Sequence, residues 1–343
     1  MKSNILKKKP FIIAEISANH NGSILSAKKL IHMAKKYGAD AVKLQTYSPG
    51  SMTINSNKKD FMIKNGLWKG YSLWQLYKEA QTPFEWHKEL FEYAKRLNIV
   101  CFSTPFDETA VDLLETLKCP FYKVASFEMN HLPLIKKIAK TGKPIIISTG
   151  MANLNEIDLA YKTAKKNGSK EIILLYCVSN YPSKISDFNF NNIKILKERY
   201  SCRIGFSDHS VDNRVAAAAT AAGAEVFEKH IALNKQKKGH DIAFSAKGIE
   251  LKHYIKTIRD TSSMMGKTYF FRNKSENKSS QFRRSIYAIK DIKKNEKFTL
   301  KNIKIIRPGY GLQPLYFEKL INKKSPINIK KETPLNKKIF KKI

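Results

Sequence analysis

Cysteine is scarce in this sequence. Only four occur in 343 residues (Cys101, Cys119, Cys177 and Cys202), and no two form a CxxC pair or a metal-ligand spacing. That argues against a disulfide framework or a cysteine-held metal and fits a reducing compartment. Long apolar runs are missing too, and none approaches the ~20 residues a membrane span needs. The start, Met1-Lys2-Ser3-Asn4-Ile5-Leu6-Lys7-Lys8-Lys9, lacks a signal-peptide core followed by a small-residue cleavage site. The expectation is a cytoplasmic protein that makes no use of a membrane. Acid is also short: 29 Asp and Glu stand against 63 Lys and Arg, a formal charge of +34. Such an excess invites a nucleic-acid reading. However, it is almost all lysine, scattered among Asn and Ile, with no Arg-rich helix and no basic–aromatic stripe. It reads as solvated faces, so no nucleic-acid partner is expected, although a positive field would speed capture of a small anion.

What is present is a large core, since 42% of residues are hydrophobic and 11% aromatic. Short β-rich runs at 11–16, 41–45, 99–103, 121–125, 144–148, 171–176, 203–206 and 225–231 alternate with amphipathic helical stretches. Among the latter are 23–37, 83–97, 210–222 and 249–264. Eight strand–helix repeats predict an α/β fold, a (β/α)8 TIM barrel over 1–270. A doubly wound sheet would need fewer strands and a Gly-rich first turn, which is absent. The insertion at 47–82 is too long for an ordinary βα loop and is rich in Trp and Tyr, so it should pack at the C-terminal rim. A polar stretch predicts a linker at 271–284. Residues 285–343, with β-like runs at 285–289, 303–306 and 326–329, predict a small β-rich domain that leans on the barrel or on another subunit.

Side chains alternate between lumen and helix layer along a barrel strand. Glu15, Lys43, Gln45, Lys123, Glu228 and His230 therefore point inward from separate strands. A buried ammonium group needs a counter-ion or loses its proton. Lys43 and Lys123 could pair structurally with Glu15 and Glu228, bind a doubly charged anion carrying phosphate and carboxylate, or form a Schiff base. Hydroxyls of Ser103, Thr104, Ser126 and Ser207 at strand ends offer neutral phosphate donors. His209 and His230 end neighbouring strands, ~4.8 Å apart. They are either hydrogen-bonded rim residues or two ligands of a divalent ion with oxygen donors, Mn²⁺ in character. The remaining histidines offer no comparable arrangement, and His32 and His87 read as surface or packing residues.

Several ordered segments resemble the sialic acid synthase family: Glu15-Ile16-Ser17-Ala18-Asn19-His20-Asn21-Gly22, Lys43-Leu44-Gln45-Thr46, Phe102-Ser103-Thr104-Pro105-Phe106 and Tyr122-Lys123-Val124-Ala125-Ser126. Ser148-Thr149-Gly150-Met151, Tyr181-Pro182, Ser207-Asp208-His209 and Glu228-Lys229-His230 continue the match. Arg284-Ser285-Ile286 and Ile306-Arg307-Pro308-Gly309-Tyr310-Gly311 look like that family's antifreeze-like (SAF, β-clip) domain. Glu15-Ile16-Ser17-Ala18-Asn19-His20, with Ser17 where sialic acid synthases proper more often carry Gly, resembles the family's pseudaminic acid branch most, as do Gly66-Leu67-Trp68 with Leu76-Tyr77-Lys78-Glu79-Ala80, and Thr82-Pro83-Phe84-Glu85-Trp86-His87.

The resemblance implies condensation of phosphoenolpyruvate with an amino-sugar aldehyde to a nine-carbon sugar acid, without a covalent enzyme intermediate. It implies that Lys43, Thr104, Lys123, Ser126 and Ser207 hold phosphoenolpyruvate, together with Ser179, where some relatives have Asn. His209 and His230 would bind a divalent metal, Mn²⁺ with Mg²⁺ or Co²⁺ as substitutes, and Glu15 would orient water or the reacting groups. Gln45, Glu128, Tyr181, Glu228 and Asp241 would shape the sugar side. Arg307 would reach the partner's active site in a domain-swapped homodimer. Rival readings are a neuraminate or legionaminate synthase, a Schiff-base pyruvate lyase and a non-catalytic binding protein.

Overall fold

The computed structural model describes residues 6 and 8–342. Eight strands lie in sequence order: β1 (Phe11–Glu15), β2 (Ala41–Thr46), β3 (Val100–Pro105), β4 (Tyr122–Val124), β5 (Ile145–Ser148), β6 (Ile172–Cys177), β7 (Arg203–Asp208) and β8 (Val226–Ala232). All neighbours pair in parallel and β8 returns to β1, which closes the sheet into the expected TIM barrel. Strands buried on both faces should read as continuous apolar runs. Ile172–Cys177 does so, with every residue buried.

Packing at the bottom of the lumen explains why the polar residues emerge at the top. Phe102 and Phe121 meet with ring centroids 4.3 Å apart, and Phe11 joins Phe121 at 6.4 Å. The next inward positions on those strands are Thr104, Lys123 and, beyond Ile13, Glu15. The helix Ile24–Tyr37 starts at Ser23, whose hydroxyl accepts from the Ser26 amide, and ends at Gly38 with φ 92°. That left-handed stop suits glycine. The long helix Ile249–Met264 follows β8 and buries Leu251, Tyr254, Ile255 and Ile258.

The insertion at 47–82 is folded. It carries the helices Pro49–Met52 and Leu73–Ala80 and a bridge between Met62 and Ser72. The Trp68 indole donates to the His240 carbonyl at 3.0 Å, and Tyr47 packs edge-on against Tyr77 and Phe106.

The chain divides into two compact units, Met1–Gly266 and Lys267–Ile343. The second begins with exposed short turns, Lys274–Asn277 and Lys278–Phe282. An antiparallel pair, Ser285–Ala288 with Ile303–Ile306, follows. Its own core gathers Ile286, Phe298, Leu312, Leu320 and Leu335. The run expected at 326–329 forms no strand, only an isolated bridge between Ile292 and Ile329. A segment that short pairs with a loop rather than with a ladder.

Candidate active site

Register decides which side chains meet. Glu15 lies opposite both Lys43 and His230, Gln45 opposite Thr104, and Ser207 opposite Glu228. Partners in register project from the same face of a pleated sheet, here into the lumen. The result is a compact charge cluster at the C-terminal mouth. Lys43 Nζ stands 2.8 Å from Glu15 Oε2 and 3.1 Å from Glu228 Oε2, and Lys123 Nζ is 3.6 Å from Glu228 Oε1. Lys43 also donates to Thr104 Oγ1 at 3.2 Å, and Ser207 donates to Glu228 Oε1 at 3.0 Å. These lysine contacts are ion pairs, and apart from Lys43 neither Glu15 Oε2 nor Glu228 Oε2 has a hydrogen-bonding partner among the described residues. Lys123 reaches only its neighbour's carbonyl, Val124 O, at 3.4 Å. Lys123 is thus held in the wall with N–H capacity to spare for an anion, beside Lys43, which two carboxylates already match.

The electrostatics separate the two carboxylates. Burial raises the Glu15 carboxyl to about 7, because Lys43 offsets only part of the desolvation and Glu228 adds repulsion. Glu228 is desolvated as well, yet Lys123 and Lys43 together hold it down at about 2. One carboxylate stays charged while its neighbour is poised to exchange a proton near neutrality. Burial lowers Lys123, whereas the carboxylates Glu15 and Glu228 outweigh burial at Lys43 and raise it.

Beside the cations lies a hydroxyl cradle. Ser126 and Ser179 bring their Oγ atoms to 3.0 Å, although they come from different loops. Gly150, at φ 48°, makes this possible: a Cβ there would fall inside the contact distance of Ser126 Cβ and 2.7 Å from Ser179 Oγ. Ser103 is different. Its hydroxyl lies 2.6 Å from Thr46, which also meets His87 Nε2 at 2.8 Å, so Ser103 faces the helix layer and is no phosphate donor. Thr104, one position on, takes the lumen side by simple alternation.

His209 and His230 have ring centroids 5.5 Å apart. The Nδ1–H of His209 donates to the Val178 carbonyl at 3.0 Å, which leaves Nε2 with its lone pair. His230 Nδ1 is buried without a hydrogen-bond partner; Asp241 Oδ2 stops at 3.7 Å. Burial lowers the imidazole of His209 to about 4 and that of His230 well below its usual value, so both are neutral, as ligands must be. Among the described residues no group of three or more His, Cys, Asp or Glu is assembled for a metal. The donor set therefore fits an ion bound through two imidazole nitrogens and completed by water or substrate oxygens, as in open catalytic sites.

Lys43, Lys123, Ser126, Ser207, His209, Glu228 and His230 line a cavity of about 510 Å³ with Gln45, Glu128, Tyr181 and Asp241, while Glu15, Thr104 and Ser179 stand behind that lining. Burial raises Glu128 to about 7 and lifts the Tyr181 hydroxyl. Arg307 belongs to the second unit, where it lines a separate cavity of about 650 Å³ with Arg283 and Arg284. Tyr47, Trp68 and His240 also line the barrel cavity, a role the sequence reading did not give them. The aromatic content of the insertion was the one available signal. Ser17 lines the cavity too, although the sequence marks that residue only as a feature of the branch.

The NeuB family model matches residues 30–269 and the SAF domain model residues 283–339. The pseudaminic acid synthase of Campylobacter jejuni subsp. jejuni is 43% identical over 323 residues, 94% of each chain. That of Helicobacter pylori is 43% identical over 328 residues, 95% of this chain and 96% of its own. The crystal structure of an N-acetylneuraminic acid synthetase from Leptospira borgpetersenii in complex with citrate superposes with a TM-score of 0.72. It is 31% identical and covers 79% of this chain and 90% of its own. With a family match over well more than half of its length, the chain belongs to the NeuB family and carries a SAF domain in its second unit.

Proposed function

We propose that the protein is a pseudaminic acid synthase. It condenses phosphoenolpyruvate with 2,4-diacetamido-2,4,6-trideoxy-L-altrose and releases inorganic phosphate. The observation that carries the reading is the pair of lumen lysines, Lys43 and Lys123, only 3% and 2% exposed, beside the hydroxyl cradle and two neutral imidazoles. The identity to two pseudaminic acid synthases supports this sugar over the N-acetylneuraminate or legionaminate type.

Lys43 and Lys123 bind the carboxylate and phosphate, with Thr104, Ser126, Ser179 and Ser207 as neutral donors. Gln45, Glu128, Tyr181, Glu228 and Asp241 hold the sugar so that its aldehyde carbon faces C3 of phosphoenolpyruvate. A divalent ion held by His209 and His230, with manganese the proposed choice, would supply Lewis-acid polarisation of the aldehyde. C3 attacks that carbon, and the positive charge left at C2 develops beside fixed carboxylates that need not reorganise. Water adds to C2, Glu15 accepts one of its protons and returns a proton to the former aldehyde oxygen, and the hemiketal C–O bond to phosphate breaks as the remaining hydroxyl proton leaves with phosphate. No lysine becomes covalently bound, in contrast to a Schiff-base lyase. Arg307 contributes to the sugar site of a partner subunit in a domain-swapped homodimer, and the enzyme works in the cytoplasm.

The test is phosphate release from phosphoenolpyruvate and Mn²⁺ with each candidate hexosamine, and a mass spectrum of the product. Turnover of the diacetamido-trideoxy sugar in clear preference is expected, with activity abolished by chelator and restored by Mn²⁺. Preference for N-acetylmannosamine would move the chain to the neuraminate type. Borohydride trapping of substrate on Lys43 or Lys123 would overturn the mechanism.

A further inference from the structure

Among the described residues, seven other than glycine have left-handed φ: Ser17, Asn21, Asn98, Lys118, Asn295, Asn322 and Glu332. Six of them are exposed, and four are Asn, which tolerates that conformation. Ser17 is the exception, at φ 45° and 3% exposed. A serine has a Cβ to crowd the backbone there, and strain of this kind persists only where surrounding contacts over-determine it.

The contacts are specific. The Ser17 hydroxyl hydrogen-bonds Asp241 Oδ2, across 224 positions of chain. Its own backbone N–H donates to Glu15 Oε1 at 2.9 Å. The next amide, of Ala18, approaches Asp241 Oδ2 at 3.5 Å. The left-handed turn is what aims these donors at two different carboxylates. Among the described residues, the hydrogen bonds and the ion-pair approach to the Asp241 carboxylate fall on Oδ2, the approach being that of His230 Nδ1 at 3.7 Å. Oδ1 is left for a ligand at the cavity wall, which Ser17 and Asp241 both line.

We infer that Ser17 is a positioning residue: its hydroxyl anchors one oxygen of Asp241 so that the other is presented to a hydroxyl or amide N–H of the amino sugar, while its amide steadies Glu15. This deepens the proposed synthase reading and rests on it for the identity of the ligand. A residue kept only to make the turn would be better served by glycine, which adopts that φ without a Cβ.

Two variants separate hydroxyl from backbone. Ser17→Gly and Ser17→Ala both lose the hydroxyl, but only alanine keeps the crowding. For an anchoring hydroxyl, both variants lower kcat/KM for the sugar by about 10- to 100-fold, the loss of a hydrogen bond to a charged group, with KM for phosphoenolpyruvate little changed. Both also melt below the wild type, alanine lowest. Wild-type activity in Ser17→Gly with a melting temperature at or above wild type would overturn the inference. Equal losses for sugar and phosphoenolpyruvate would also overturn it, by pointing to general disruption of the mouth. If the wild type itself turns over no hexosamine, the synthase reading fails. The order of melting temperatures then judges the anchor independently.

Discussion

Strands β7 and β8 build two buried ion clusters on opposite sides of the same wall. On the lumen side, Glu228 shares Lys43 and Lys123, all three line the cavity, and the hydrogen bond found for Lys123 goes to the Val124 carbonyl. On the helix side, one residue along each strand, Lys229 stands 3.4 Å from Asp208, donates to the Ser210 carbonyl and lies 5.5 Å from the Tyr254 ring. Asp208 in turn accepts from the Ser210 amide at 2.7 Å. The outer pair is one cation matched to one anion, closed off from the cavity. The lumen cluster joins two cations to two carboxylates of unequal acidity and opens onto the cavity. Both carry the desolvation cost of buried charge. A pair sealed behind the wall has only a structural use, whereas cations that line a cavity can take a ligand's anion as a further partner.

Replacing one lumen cation should produce the largest effect. Lys123→Met is expected to lower kcat/KM for phosphoenolpyruvate on the order of 10²- to 10³-fold, the scale of losing one preorganised charge donor. Initial-rate kinetics beside far-ultraviolet circular dichroism would show it, and near-normal rates would mean that Lys123 is structural, like Lys229. Behind the wall the expectation reverses. Lys229→Met leaves Asp208 buried and alone and should cost about 3–5 kcal/mol of stability, while the double variant with Asp208→Leu should recover most of it. Urea unfolding of the two single variants and the double variant measures this, and a double variant no better than Lys229→Met would show that the pair is irreplaceable.

The smallest and most informative effect concerns pH. The folded pKa of Glu15, about 7, exceeds its ordinary 4.5, so the native state holds the extra proton and stability falls as pH rises from 4.5 to 7. Glu228, held at about 2, has the opposite sign: its contribution is present above 4.5 and is lost as pH falls toward 2. Glu15→Gln should shrink the neutral limb of the stability profile, leaving the part that Glu128, also raised to about 7, contributes, and should remove the apparent pKa near 7 that Glu15 gives to kcat. An unchanged kcat profile would take the proton away from Glu15.

Much of the lumen cluster was legible without coordinates, because strand alternation is a local rule. Once 41–45 and 121–125 are read as strands, Lys43, Gln45 and Lys123 share a face, and Glu228 with His230 follow on β8. Ser103 shows the limit: a polar residue at a strand end drew attention by its type, although its parity sends it outward to Thr46 and His87. The run at 326–329 failed for a related reason, since β propensity does not supply a partner strand.

The amino-acid order alone determined the barrel's repeat, the inward parity of its charged residues and the family signature, for these depend on neighbours in sequence. Only the tertiary structure decided that Glu15 and Glu228 would differ in acidity, since burial and distances to two lysines set that difference. It alone brought Ser17 to Asp241, Ser126 to Ser179 across Gly150, and the aromatic insertion over the cavity. Those contacts join residues tens to hundreds of positions apart, and closure of the barrel is what makes them neighbours.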